Sequence, residues 1–239
     1  MNVLITGVSK GLGIKITEVL LKEGNFVFGI SRTKTEAIEN FNHKYKDKFI
    51  WIKYDLIDSD NVSSVFKEII GPKTPLHGFV NNAAFAYDDI ITNANLDALK
   101  KMYLINVITP IIMTKYVIRN FLLHQIPGSI IHISSISVHT GYKGLSMYAS
   151  TKAALEAFSK NTAREWGEKK IRSNCIVAGF METEMSSSLT SEQKQRIYQR
   201  TCLKGPVILE SIAYTVSFLL SEKAYSITGQ NIFIDNGTI

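Results

Sequence analysis

Tyr148 and Lys152 stand four positions apart in the strongly helical stretch Leu145–Gly167, so the two side chains project from one face. A free phenol, with a pKa of about 10, is a poor base at neutral pH. A neighbouring ammonium favours the phenolate and lowers that value, which makes the pair a proton-exchange unit. A lone Tyr-x-x-x-Lys is most often a surface pair, and here it gains weight from serines upstream. Ser134 and Ser135 close an apolar, β-branched run. Strand alternation points them to opposite faces, so one of them can hydrogen-bond a reacting oxygen as negative charge develops on it.

A second constellation lies near the start of the chain. Thr6-Gly7-Val8-Ser9-Lys10-Gly11-Leu12-Gly13 directly follows the first apolar run and opens a helical period. Backbone N–H groups and the positive helix end make such a turn an anion site, and Cα atoms without side chains let a pyrophosphate approach. Gly7, Gly11 and Gly13 are the expected contributors. An NAD site usually carries an acid about 20 residues beyond this loop, where it holds the ribose hydroxyls. Here the second run ends Ile30-Ser31-Arg32-Thr33-Lys34, with no carboxylate before Glu36. Arg32, with Lys10 inside the loop, can pair with a 2′-phosphate, so NADP(H) is favoured over NAD(H).

The elements that must position these groups follow from the hydrophobic pattern. Short apolar runs at Asn2–Thr6, Phe26–Ile30, Phe49–Tyr54, Gly78–Asn81, Ser129–Ser134, Ile171–Val177 and Asn231–Ile234 read as strands. Helical periods separate them at Leu12–Lys22, Val62–Ile69, Asp97–Leu123, Leu145–Gly167 and Glu210–Leu220. Strands apolar on both faces and alternating with helices imply a parallel sheet covered on both sides, the doubly wound α/β architecture, whose ligands sit at the carboxyl ends of the strands. No linker or repeat divides the chain, so residues 1–239 read as one domain. The polar stretch 182–206, ahead of the last helix, is a candidate substrate lid.

Composition narrows the class. The 239 residues carry 27 Lys+Arg against 21 Asp+Glu, a net charge of +6, with 45% hydrophobic residues, which excludes a disordered chain, a collagen-like repeat and a coiled coil. Cys175 and Cys202 make no disulfide framework, no acid or histidine cluster offers metal geometry, and a reducing, cytoplasmic setting is expected. The N-terminus has no basic leader, and the apolar stretch Ile105–Ile118 is broken by Asn106, Pro110 and Lys115, so neither a signal peptide nor a membrane span is expected. Basic clusters at Lys44, Lys46, Lys48 and at Lys194, Arg196, Arg200, Lys204 come with no nucleic-acid-binding motif and read as solvated faces. His132, alternating with apolar neighbours, reads as a packed core residue, and Cys175 as an apolar filler.

The spacing TGxxxGxG, the segment Asn81-Asn82-Ala83-Ala84, Asp55 after the third strand, and Tyr148 and Lys152 with Ser135 13 positions upstream of the tyrosine are together specific. In these motifs, end to end, the chain resembles the short-chain dehydrogenases/reductases. The resemblance implies a Rossmann-type domain with a seven-stranded parallel sheet and helices on both faces. It selects Ser135 over Ser134 and gives a catalytic set of Asn106, Ser135, Tyr148 and Lys152, with Asn106 holding a water that links Lys152 to solvent. Lys152 would also hold the nicotinamide ribose. It implies cofactor contacts at Gly7, Ser9, Lys10, Gly11, Leu12, Gly13, Ser31, Arg32, Asp55, Leu56, Asn82, Ala83, Tyr148, Lys152, Gly179 and Thr183. Two departures stand out, Ala84 for the usual glycine and Ala178-Gly179 for the usual Pro-Gly.

Within the family the chain is most like bacterial beta-ketoacyl carrier-protein reductases in length and in its Ser-Tyr-Lys spacing. That implies NADPH-dependent reduction of a ketone to a secondary alcohol, the substrate being a small ketone or alcohol or an acyl thioester. An acidic acyl carrier protein as partner would require basic residues near the cleft. Lys169 and Lys170 can serve, whereas Gln125-Ile126-Pro127 lacks the basic residue such reductases often carry there. A sugar or another small ketone, and a non-catalytic nucleotide sensor, are the alternatives. Enoyl reduction is a closer rival, although that branch spaces its tyrosine and lysine more widely. Dimer or tetramer contacts through the two long helices are a further implication.

Overall fold

The computed structural model describes residues 1–187 and 189–239. A seven-stranded sheet runs in the order β3-β2-β1-β4-β5-β6-β7. Its strands are β1 (Asn2–Thr6), β2 (Phe26–Ser31), β3 (Phe49–Lys53), β4 (Gly78–Asn81), β5 (Gly128–Ser135), β6 (Ile171–Ala178) and β7 (Asn231–Ile234). Every pairing is parallel. The runs read as strands from sequence are all strands, because continuous apolar β-branched character suits a sheet covered on both faces. Around the sheet lie helices α1 (Gly11–Lys22), α2 (Glu36–Lys44), α3 (Val62–Ser64), α4 (Leu96–Tyr103), α5 (Thr109–His124), α6 (Ser137–Thr140), α7 (Ser146–Trp166), α8 (Ser191–Gln199) and α9 (Leu209–Leu220).

Side-chain alternation divides the core in two. Val3 and Ile5 of β1 point into one layer, with Ile16 and Leu20 of α1, Ile38 and Phe41 of α2, and Ile212 and Val216 of α9. Leu4 points into the other, with Phe79, Ile130 and the α5 residues Met113, Val117 and Phe121. The result is one α/β domain of Rossmann type, with helices on both faces of a parallel sheet.

Three local features differ from the sequence reading. Helix α2 fills an interval in which no helix is expected; it is short, and its buried side is little more than Ile38 and Phe41. The segment after α3 continues as a π-helical stretch, Val65–Ile70, and a second one, Leu104–Ile108, joins α4 to α5 and contains Asn106. The third concerns the apolar stretch judged too interrupted to span a membrane. In the structure Leu96–His124 is helical throughout, and its 29 residues are long and apolar enough, by length and composition alone, to cross a bilayer. Half of its most apolar window is buried within the protein, and Asn106 and Asn120 on it hydrogen-bond the loops flanking β4.

Tyr45 and Phe49, which interleave with Lys44, Lys46 and Lys48, do not form a stacking surface for bases. Phe49 is buried in β3 and Tyr45 packs on the core beside it.

The two faces of α5 make opposite predictions. Phe121 is 0% exposed and its ring occupies the space beside Gly128, whereas Leu123 is 64% exposed. Phe121→Ala should lower the free energy of urea unfolding by about 3–5 kcal/mol. Leu123→Ala should change it by less than about 0.5 kcal/mol.

Candidate active site

Strand order reverses between β1 and β4, whose chain connections run to opposite sides of the sheet, and this switch point opens a crevice at the carboxyl ends of the strands. The glycine loop leaves β1 on one side of it, and Asn82 and Ala83 leave β4 on the other. Thr6 stitches the two together: its Oγ1 accepts from the amides of Asn82 and Ala83, both at 3.1 Å. The Asn82 side-chain Nδ2 donates in return to the carbonyls of Thr6 (3.0 Å) and Gly7 (3.2 Å). Gly7 has φ +78°, and a Cβ there would lie 2.9 Å from Ala83 Cα. At Gly13 a Cβ would come within 1.9 Å of the Gly7 carbonyl oxygen, so α1 can start this close to β1 only without a side chain. Leu12 is buried behind the loop, and the Ser9 carbonyl accepts from Thr35 Oγ1 at 3.2 Å. A side-chain-free cradle of backbone at a helix N-terminus suits a pyrophosphate.

Arg32 and Lys10 are both exposed. Arg32 has no ion pair among the described residues, while Lys10 Nζ lies 2.7 Å from the Glu184 carboxylate. The Ser31 hydroxyl is buried; it donates to the Thr33 carbonyl at 3.0 Å and accepts from Trp51 Nε1 at 2.9 Å. Asp55 accepts from the Ile57 amide at 3.1 Å, and Leu56 is buried with its carbonyl taking the Thr109 hydroxyl at 2.6 Å. Across the crevice, Gly179 packs so closely on β7 that a Cβ would lie 2.6 Å from Asp235 Cα. Thr183 lies at the start of the stretch read as a lid, one residue in, and its methyl lies 3.5 Å from where a Gly11 Cβ would be. Ser188, inside that stretch, falls outside the described residues.

Around the expected catalytic set, alternation at the end of β5 separates the serines. Ser134 turns away and donates to Glu156, whereas Ser135 Oγ accepts from the Ser137 amide at 3.2 Å and its hydroxyl at 3.0 Å. Tyr148 is half-buried; Lys152 is 2% exposed, its Nζ 5.6 Å from the Tyr148 ring centre and 2.8 Å from the Ile133 carbonyl, to which it donates. Burial lowers the Lys152 pKa from 10.5 to about 8.

The phenol differs from the sequence reading, which counts the lysine's charge together with that of an oxidised nicotinamide. Burial, and after it the charge of Asp88, push the Tyr148 pKa up rather than down. Desolvation is the larger of the two causes. Asp88 follows β4 in the loop whose Asp89 amide donates to the Gly144 carbonyl at 3.0 Å, just ahead of α7. Desolvation raises the Asp88 carboxyl as well.

Asn106 is 1% exposed, and both polar atoms of its side-chain amide are bonded to protein groups. Its Oδ1 accepts from the Phe85 amide (2.8 Å), and its Nδ2 donates to the Phe85 carbonyl (2.9 Å) and to Thr151 Oγ1 (3.0 Å). The side chain thus pins the loop after β4 to α7. His132 is fully buried, paired at 3.3 Å with Asn81 Nδ2 and set edge-on to Phe79 and Phe158; burial lowers its pKa to about 3. It is a neutral core residue, and Cys175, buried with its pKa raised to about 12, is an inert filler.

These features coincide with those of known proteins. A family model described as "Enoyl-(Acyl carrier protein) reductase" matches residues 7–238. The 3-oxoacyl-[acyl-carrier-protein] reductase FabG of Aquifex aeolicus is 30% identical, covering 98% of this chain and 95% of its own. An L-xylulose reductase of Caenorhabditis elegans is also 30% identical, over 99% and 94%. Among solved structures, "ElxO with NADP Bound" superposes with a TM-score of 0.90 at 27% identity, covering 99% of this chain and 98% of that one. The chain belongs to the short-chain dehydrogenase/reductase family, and its fold is that of an NAD(P)-dependent oxidoreductase.

Several groups at the site were not singled out from sequence: Thr6, Asp88, Thr151, Glu156 and Glu184. Thr6 stood inside the glycine motif and was legible there. The others reach the site through contacts distant in the chain and carry no local signature.

Burial of Lys152 makes a sign-definite prediction. Between its folded pKa of about 8 and its ordinary value of 10.5, the unfolded chain binds the extra proton, so stability rises with pH across that window. Urea unfolding of the wild type against Lys152→Met should show the stability difference shifting in favour of the wild type as pH is raised through this window. A difference independent of pH would contradict the lowered value.

Proposed function

We propose that the protein is an NADPH-dependent reductase that converts a ketone to a secondary alcohol. The observation that carries this reading is a protonated, half-buried phenol beside a buried ammonium, at the edge of a crevice lined by a side-chain-free backbone cradle. Gly7, Gly11 and Gly13 would hold the pyrophosphate, Lys10 and Arg32 the 2′-phosphate, and Lys152 with Thr183 the nicotinamide end; when bound, the dinucleotide supplies the hydride. The Ser135 hydroxyl donates to the ketone oxygen and holds it against Tyr148. As the carbonyl carbon is reduced, negative charge grows on that oxygen and Tyr148 gives it the phenolic proton, which completes the alcohol. The Lys152 ammonium stabilises the phenolate left behind until solvent returns a proton. A raised phenol pKa keeps the acid loaded at neutral pH, which suits reduction; oxidation needs the phenolate and should gain with rising pH.

The leading substrate is a 3-oxoacyl thioester, supported by the Aquifex relative over nearly its whole length. A polyhydroxy ketone is the second reading. Asp88 favours it, as an acceptor beside the phenol for which no hydrogen bond is formed among the described residues, and the xylulose reductase relative is in keeping with it. Enoyl reduction fits less well with a tyrosine and lysine only four residues apart. Residues 182–206 would act as the lid, linked to the glycine loop by the Lys10–Glu184 pair and braced internally by Tyr198 and Lys194 on Glu182. A cytoplasmic setting and self-association through α4, α5 and α7 complete the proposal.

Following nicotinamide absorbance with a panel of ketones and acyl thioesters should show turnover with NADPH above NADH. Tyr148→Phe should lower kcat by about 10²–10⁴-fold while NADPH still binds. Retention of turnover would refute the catalytic reading, and a sensor's output would survive the change. Arg32→Ala combined with Lys10→Met should raise the KM for NADPH about tenfold or more and leave that for NADH near its starting value. An equal change for both cofactors would remove the 2′-phosphate from the argument.

A further inference from the structure

Behind the reacting face lies a polar cluster that the mechanism above does not use. Glu156 is 8% exposed on α7, and with Tyr148 and Lys152 it occupies one helix face at successive four-residue steps. Its carboxylate gathers donors from three other elements. Ser134 of β5 donates to Oε1, and Asn231 of β7 donates to Oε2 at 2.7 Å. His139 of α6 places Nε2 3.2 Å from Oε1 and 3.0 Å from Oε2, with its ring set edge-on to Phe233 of β7 at 4.9 Å.

The location gives the cluster its meaning. Ser134 precedes Ser135, so the bond to Glu156 fixes the rotation of the strand end that aims Ser135 the other way. His139 lies in the short helix that begins at Ser137, whose amide and hydroxyl hold Ser135 Oγ. The helix that carries the carboxylate also carries Tyr148 and Lys152. We propose that Glu156 is a positioning residue, whose carboxylate ties β5, α6 and β7 to α7 and so holds Ser135 in register with Tyr148. The inference rests on the proposed roles of Ser135 and Tyr148. A buried carboxylate with several donors is a rigid joint, because each donor loses its partner if the geometry slackens. Reaction rates are steep in that register, and a displacement of about 1 Å lowers them about a hundredfold.

The test compares Glu156→Gln and Ser134→Ala with the wild type in steady-state ketone reduction, with folding checked by near-ultraviolet circular dichroism and thermal melting. Glu156→Gln keeps the side-chain size and removes the charge. It should lower kcat tenfold to a hundredfold, with KM for the ketone and Kd for NADPH within about threefold of wild type. Ser134→Ala removes only one hydroxyl and stays testable if the glutamine variant fails to fold; it should lower kcat at least fivefold with the same split. The double variant should lose little more than Glu156→Gln alone, since both act through one joint. Wild-type kcat in a folded Ser134→Ala, effects on KM alone, or multiplicative losses in the double variant would overturn the proposal. Tyr148→Phe in the same assay separates the two failures: if it too turns over normally, the tyrosine reading has failed, and if it alone collapses, only the role of Glu156 has.

Discussion

A cation is held out of water beside a phenol, and most of the architecture around the crevice serves that juxtaposition. Lys152 is buried where an ammonium is expensive to desolvate, so its proton is bound weakly, and its one acceptor among the described residues is the backbone carbonyl of Ile133. That acceptor belongs to β5, the strand that ends in Ser135. The same bond therefore sets the height of α7 against the sheet and, with it, the position of Tyr148. In the absence of a dinucleotide the surroundings favour the neutral phenol and a readily lost ammonium proton. The lysine leans toward releasing its proton, whereas the phenol keeps its own until negative charge develops on an oxygen in front of it.

The crevice exists because the order of strands reverses between β1 and β4. Two loops that would otherwise lie over helices are left facing each other, and Thr6 and Asn82 bond them into one wall. Close approach of α1 to that wall is possible only because Gly13 has no side chain. Asn106, held within a π-helical turn, ties the loop after β4 to α7 and so closes the circuit between the nucleotide side and the phenol side. Glu156 plays the corresponding part from behind. Polar side chains buried between elements thus do the aligning, while the apolar layers supply the cohesion.

The strands, most of the helices and the glycine cradle were legible in the sequence because each is a local pattern: a β-branched run, a helical period, glycines where a side chain would collide. The opposite orientation of Ser134 and Ser135 was equally legible, since alternation is a property of any extended strand. Helix α2 was not, because its buried face is too small to stand out against the charges around it. The π-helical turn at Asn106 was not either, because its residues have ordinary helical character and nothing in their spacing marks the wider turn.

The amino-acid order alone determined which groups are present and their spacing along strand or helix, because those depend on bonds between near neighbours. Protonation preferences, and the partners of each polar group, were decided by tertiary structure. The phenol beside Lys152 was expected to be acidified and is instead held neutral, since burial and Asp88 act through space from residues far along the chain. In the same way Asn106 is bound by protein atoms, and Lys10 meets Glu184 across 174 positions of sequence. Electrostatics and hydrogen bonding depend on distance and dielectric surroundings, and neither exists until the chain has folded.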